Sequence, residues 1–201
     1  MEGLSENGQH QRYRGPSPMR VRSLRAPHSL SRAGAHFDAL LGWLYGAWLT
    51  RRYVSSYQTF PAIGFLGRPF RLKISRVPGG RLIVDGRLVL AQWVNGGEMS
   101  SIRLGAGATL VIGGEFTIGG GVHIVLDAGA TATLAGRANE SASGITARSF
   151  VLVRRRVSIG RDCLIGWDTV ITDSDWHGIR GAPDAVETVL GDHVWLGQGS
   201  R

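Results

Sequence analysis

From about residue 100 onward, aliphatic positions return every six residues. Ile112-Gly113 recurs as Ile118-Gly119, with Ile124 six residues further; Ile159-Gly160 recurs as Ile165-Gly166, with Ile171 six further; Leu190-Gly191 recurs as Leu196-Gly197. Two residues before the next aliphatic position stand Phe116, Val122, Cys163, Thr169 and Val194. Positions i and i+4 of each hexad therefore point to one side and the residues between them to the other, the alternation of a short strand. A helix cannot hold a stripe of this period, whereas a β-solenoid can. Each hexad makes one strand and one turn, three hexads make a coil, and stacked coils bury the aliphatic column. Ile63-Gly64 stands alone at this spacing and carries no weight.

The remainder of the chain is less regular. Residues 1–35 mix Gln, Arg, Ser, Pro and Gly without apolar periodicity and predict a disordered basic arm. Phe37 to Leu49 is dense in apolar residues, ends in Thr50-Arg51-Arg52, and predicts the one helix of the protein. It is shorter than the ~20 residues a bilayer span requires. The preferred reading packs this helix on the main domain; the other lays it at a membrane interface, with Trp43, Trp48 and the arginines at anionic headgroups, a peripheral membrane contact. Short strands and turns follow, with Pro78-Gly79-Gly80 and Asn95-Gly96-Gly97 as turn signals. The expected organisation is an arm over 1–35, a helix and short strands capping the solenoid over 36–99, and the solenoid itself over 100–201.

Composition agrees with an all-β reading: 30 of 201 residues are Gly, without collagen periodicity, which marks a turn-rich fold. A single cysteine, Cys163, excludes an intrachain disulfide, and no secretory signal is recognisable, so a cytoplasmic location is expected. The net charge of +8 raises nucleic acid as a partner. The arginines concentrate early, at Arg12, Arg14, Arg20, Arg22, Arg25 and Arg32, and no reader motif accompanies them, so nucleic-acid binding is not expected.

The hexad pattern resembles the hexapeptide-repeat acyltransferases. It is closest over Val157 to Trp176, VSIGRDCLIGWDTVITDSDW, and over Leu190 to Gly197, LGDHVWLG. With His177, these segments look like the galactoside and maltose O-acetyltransferase branch. The resemblance implies a left-handed parallel β-helix, a homotrimer with sites between subunits, and transfer of an acetyl group from acetyl-CoA to a hydroxyl of a sugar or polysaccharide-precursor acceptor.

Between Ile171 and Leu190 the register breaks, and a solenoid must extrude this stretch as a loop. Asp173, Ser174, Asp175, Trp176 and His177 bring an imidazole close to two carboxylates, a composition suited to general-base work. The resemblance maps His177 onto the family's catalytic histidine. Asp175 or Asp173 would orient or charge-stabilise its ring, and spacing does not choose between them. Trp176 either flanks a substrate or forms a lid on the coil edge, and Arg180 is a candidate contact for acceptor hydroxyls. Trp195, Gly197 and Gln198 correspond to the stretch where the family begins its CoA groove.

Two other readings use the same scaffold. A zinc enzyme would draw on His123, His177 and His193, but the close histidine pair it needs is absent, so no metal is expected. A non-catalytic, truncated β-helix is the main alternative to the enzyme. Leu190 to Arg201 supplies two hexads, so the last coil is expected to lack its third side, to be weakly capped, and to bind CoA weakly. Cys163, at an inward position, is expected to serve packing rather than nucleophilic chemistry.

Overall fold

Inward-pointing hexad residues decide the architecture, because each must be covered by the coil above or below it. The structure is a computed structural model that describes residues 32–92, 98–137, 142–175, 177 and 183–201. The expected arm over residues 1–31 and the Asn95-Gly96-Gly97 turn lie outside the described residues. The first coil contains β1 (Ser56–Tyr57), β2 (Ile63–Leu66) and β3 (Leu72–Arg76). The second contains β4 (Arg81–Val84), β5 (Arg87–Ala91) and β6 (Ser100–Leu104), and the third β7 (Thr109–Ile112), β8 (Glu115–Ile118) and β9 (His123–Leu126). The fourth contains β10 (Thr131–Gly136), β11 (Gly144–Ile145) and β12 (Phe150–Val153), and the fifth β13 (Arg156–Arg161), β14 (Leu164–Ile165) and β15 (Val170–Thr172). Two strands, β16 (Thr188–Leu190) and β17 (Trp195–Leu196), follow.

Corresponding strands of successive coils pair in parallel, giving three sheets: β1-β4-β7-β10-β13-β16, β2-β5-β8-β11-β14-β17 and β3-β6-β9-β12-β15. The protein is thus an all-β parallel solenoid with one N-terminal helix, the three-faced arrangement expected of a left-handed β-helix. The hexad reading is borne out residue by residue. Ile112, Phe116, Ile118, Val122 and Ile124 are fully buried in one coil, and Ile159, Cys163, Ile165, Thr169 and Ile171 are buried two coils later. The Cys163 thiol points inward and donates to the Gly191 carbonyl at 3.1 Å.

The strands before residue 100 are rungs of the same three sheets, and the helix and all coils belong to one compact unit. Leu82 and Leu88, and Val84 and Leu90, repeat at the hexad spacing and are buried. Asp85 and Ala91 stand where later coils place Gly after the aliphatic residue, so the aliphatic-Gly signature is missing there. Ile63-Gly64 belongs to β2, but Ile63 pairs with Leu88, which pairs with Phe116, so the pair sits two residues out of register with Ile118-Gly119.

Corners between strands need a residue in the left-handed region. Gly114 and Gly136 fill it between the first and second sheets, and in later coils Asp162 (φ 56°) and His193 (φ 60°) fill it at the same corner one position further along, since Gly136 pairs in register with Arg161. Arg148 (φ 45°) and Asp168 (φ 56°) do so between the second and third. Asp and His tolerate this region better than most residues, which gives Asp162, Asp168 and His193 a structural reason to be there.

The helix, α1 (Arg32–Tyr53), is longer at both ends than the apolar run. It begins within the span assigned to the arm, where Ala33 and Ala35 extend a helix without adding an apolar stripe. At the other end Arg51 and Arg52 complement the helix dipole. Thr50 Oγ1 donates back to the Gly46 carbonyl at 2.7 Å and accepts from the Ile63 amide at 3.2 Å, riveting the helix to β2. This contact depends on Gly46, because a Cβ there would collide with the Ile63 carbonyl oxygen. Gly46→Ala is therefore expected to destabilise the protein by about 1–3 kcal/mol in denaturant unfolding. Gly42→Ala, whose Cβ would meet Phe65 at an ordinary 3.4 Å, is expected to be neutral or stabilising through helix propensity.

Candidate functional site

Three insertions leave the solenoid, one at each corner of the triangle: 92–99 between β5 and β6, 137–143 between β10 and β11, and 173–187 between β15 and β16. The last is the break in register seen in the sequence. Its two stems are tied to each other. Thr188 Oγ1 donates to the Thr172 carbonyl at 2.8 Å, the Val186 amide donates to the Asp173 carbonyl at 2.9 Å, and Ser174 Oγ donates to the Asp184 carbonyl at 2.6 Å. Arg156 and Glu187 add an exposed ion pair at 3.1 Å.

Asp173 is the anchor of this loop. Its carboxylate is buried and accepts three backbone amides: Arg154 on Oδ1 at 2.8 Å, and Arg155 and Arg156 on Oδ2 at 2.6 Å each. Both oxygens are therefore spent on the turn that opens the fifth coil, and of the two carboxylates considered as the histidine's partner Asp173 has the structural task. Asp175 is exposed, and its Oδ1 accepts the His177 amide at 3.1 Å. That bond fixes the backbone approach to His177, whose side chain is exposed to solvent. Trp176 and Arg180 lie outside the described residues.

The candidate donor-binding residues stand on another side of the coil. Trp195 lies on β17 of the second sheet, 79% exposed, and pairs in register with Leu164. Gly197 has open space where a Cβ would project. Gln198 is engaged locally, its Nε2 donating to Asp168 Oδ2 at 3.3 Å. Asp168 also receives Arg148 Nε and Nη2 at 2.9 and 3.2 Å. The described contacts thus separate the 195–198 segment from His177, which projects from the corner between the third and first sheets.

A groove missed by sequence reasoning runs along the second sheet toward Trp195. Outward positions in register there are Val89, Thr117, Gly144, Leu164 and Trp195. Gly144 contributes no side chain, and a Cβ on it would strike the Thr117 carbonyl, so the wall dips between Thr117 and Leu164. The resulting groove of about 250 Å³ is mostly apolar, with Arg87 and Glu115 at one side and Ser143 at its base. Ser143 Oγ is buried and has no hydrogen-bond partner among the described residues. Only the register, not any local motif, reveals this dip.

The three histidines considered for zinc stand on different elements. His123 is on β9, where its Nδ1 lies 2.8 Å from Ser101 Oγ and its ring stacks on Phe150. His193 is at the corner before β17, its Nδ1 3.9 Å from Asp162 Oδ2. Comparison of the chain with protein-family models, with curated proteins and with solved structures gives no match.

Two predictions follow from the carboxylates. Asp173→Ala strands three backbone amides and is expected to destabilise the protein by about 2–4 kcal/mol in denaturant unfolding, with Asp173→Asn intermediate. The Arg148 hydrogen bonds hold the Asp168 carboxyl below the ordinary aspartate range, and the Arg161 amide, then its guanidinium, does the same for Asp192. Groups depressed in this way stabilise the fold above the ordinary aspartate pKa, and that stabilisation is lost as pH falls through their own lower values. The melting temperature of Asp168→Asn/Asp192→Asn is expected to fall below wild type at neutral pH and to approach it as the pH falls through the depressed values of the two carboxyls.

Proposed function

We propose that this protein is an O-acyltransferase that moves an acetyl group from acetyl-CoA to a hydroxyl of a sugar or polysaccharide precursor. The observation that carries the reading is His177, exposed in a loop whose stems are locked together and whose base is anchored by buried Asp173. A rigid solenoid that spends this much hydrogen bonding on presenting one imidazole suits general-base chemistry. The hexapeptide-repeat resemblance over residues 157–197 supplies the reaction class.

In this reading His177 takes the proton from the acceptor hydroxyl as its oxygen attacks the thioester carbonyl. The C–S bond then breaks, and the departing CoA sulfur takes up a proton. Asp175, whose Oδ1 accepts the His177 amide in the same turn, is the carboxylate proposed to help position the histidine. The apolar groove of the second sheet, leading to Trp195 and the open surface at Gly197, fits the thin pantetheine arm of the donor, which needs little polar recognition.

Because His177 and Trp195 lie on different sides of one coil, a single chain offers two half-sites. This supports a homotrimer in which the histidine loop of one copy faces the second sheet of its neighbour. Light scattering is expected to return the mass of three chains, and a monomer at micromolar concentration would remove the shared site. In a thiol-release assay with acetyl-CoA and sugar acceptors, His177→Ala is expected to lower turnover by about two to four orders of magnitude while leaving the melting temperature unchanged. His123→Ala and His193→Ala are expected to matter much less. Equal activity in wild type and His177→Ala would reject the mechanism.

A further inference from the structure

The side of α1 that faces away from the solenoid is apolar. Gly42, Gly46, Leu49 and Thr50 are buried against the first coil, yet Phe37, Leu40, Trp43, Leu44 and Trp48 are each at least half exposed. Large exposed apolar patches mark interaction surfaces, and a helix that is apolar on both faces needs cover on both.

The patch continues beyond the helix. Trp43 meets Phe60 edge to face at 6.4 Å, and Phe60 meets Tyr57 at 5.9 Å. Between Trp43, Trp48 and Phe60 lies an open groove of about 420 Å³ whose rim carries Arg51 and Arg52. The Arg51 guanidinium sits over the Phe60 ring at 5.2 Å and that of Arg52 over Tyr53 at 5.6 Å. Neither arginine has an ion pair with a carboxylate among the described residues. Two cations without carboxylates, at the edge of exposed tryptophans and leucines, form an amphipathic pattern: apolar groups to enter an interface and guanidinium groups to remain at an anionic layer.

We infer that this face of α1, with Phe60, docks on an anionic membrane surface, the helix lying in the plane of the headgroups. Charge decides the occupant. Asp38 is the only carboxylate on the helix. Pairing two copies in parallel through this face sets Arg51 and Arg52 against their own counterparts, so that self-association in this sense gathers like charge. The sequence leading into the helix has the same sign, with Arg12, Arg14, Arg20, Arg22 and Arg25 against Glu2 and Glu6. Among the described residues no helix is long and apolar enough to cross a bilayer, which leaves surface docking as the mode. The inference is independent of the proposed acyl transfer.

The test is flotation of the full chain with phosphatidylcholine vesicles containing about 30% phosphatidylglycerol, and with phosphatidylcholine alone. Wild type is expected to float with the anionic vesicles and to remain below with the neutral ones. Trp43→Ser/Trp48→Ser is expected to weaken partitioning about tenfold or more, as is Arg51→Glu/Arg52→Glu, in chains whose circular dichroism shows the fold retained at the temperature of the assay. Three results would each overturn the inference. Wild type could fail to float. The tryptophan variant could float like wild type while replacing Arg12, Arg14, Arg20, Arg22 and Arg25 by Gln abolishes flotation, which would assign binding to the arm. Finally, wild type could form a dimer that the tryptophan variant loses, without floating, which would assign the face to a second copy.

Discussion

The structure rests on one repeated constraint: an inward side chain in a three-sided coil has no room to go anywhere except against the same position in the next coil. Ile112, Leu134, Ile159 and their equivalents form columns in which each residue is buried by its neighbours above and below, while parallel backbone ladders satisfy the peptide groups around the perimeter. Burial is therefore local in space although the pairing partners lie many residues apart in sequence. The constraint explains the corners too. Strands this short must turn sharply, so left-handed residues recur at this corner in successive coils, at Gly114 and Gly136 and then, one position further along, at Asp162 and His193.

A scaffold held in this way tolerates insertions at its corners, because a loop there leaves the ladders intact on either side. The 173–187 loop uses that freedom and then restricts it. Asp173 reaches into the turn of the fifth coil, and Thr188 closes the stem against Thr172. His177 follows this anchored stem by four residues, and its amide is held by Asp175. The second sheet supplies the other useful surface, an apolar groove created by the missing side chain at Gly144.

Much of this was legible in the residues, for physical reasons that differ from place to place. The third and fifth coils declare themselves because an aliphatic residue followed by Gly recurs at six-residue spacing. The second coil has the same inward pattern, at Leu82, Val84, Leu88 and Leu90, but Asp85 and Ala91 replace the punctuating glycines and the 92–99 stretch breaks the count. The ends of α1 were hidden because Ala33, Ala35, Arg51 and Arg52 favour helix without adding to an apolar stripe. The histidine loop was visible as a loss of register. The separate tasks of Asp173 and Asp175 were not, because the three amides that bind Asp173 belong to a turn some eighteen residues earlier that only coil stacking brings near. The groove at Gly144 required the register of five strands at once.

If the stacked column carries the fold, resistance to opening must vary along the solenoid axis and not with position around the coil. Native-state hydrogen exchange resolved by peptide measures this directly. The account predicts the slowest exchange in β7 to β13, where each rung has a neighbour on both sides, with protection declining toward β1–β3 at one end and β16–β17 at the other. Protection that is greatest in α1 or in the terminal rungs, or that follows one sheet while its two companions exchange freely, would contradict it.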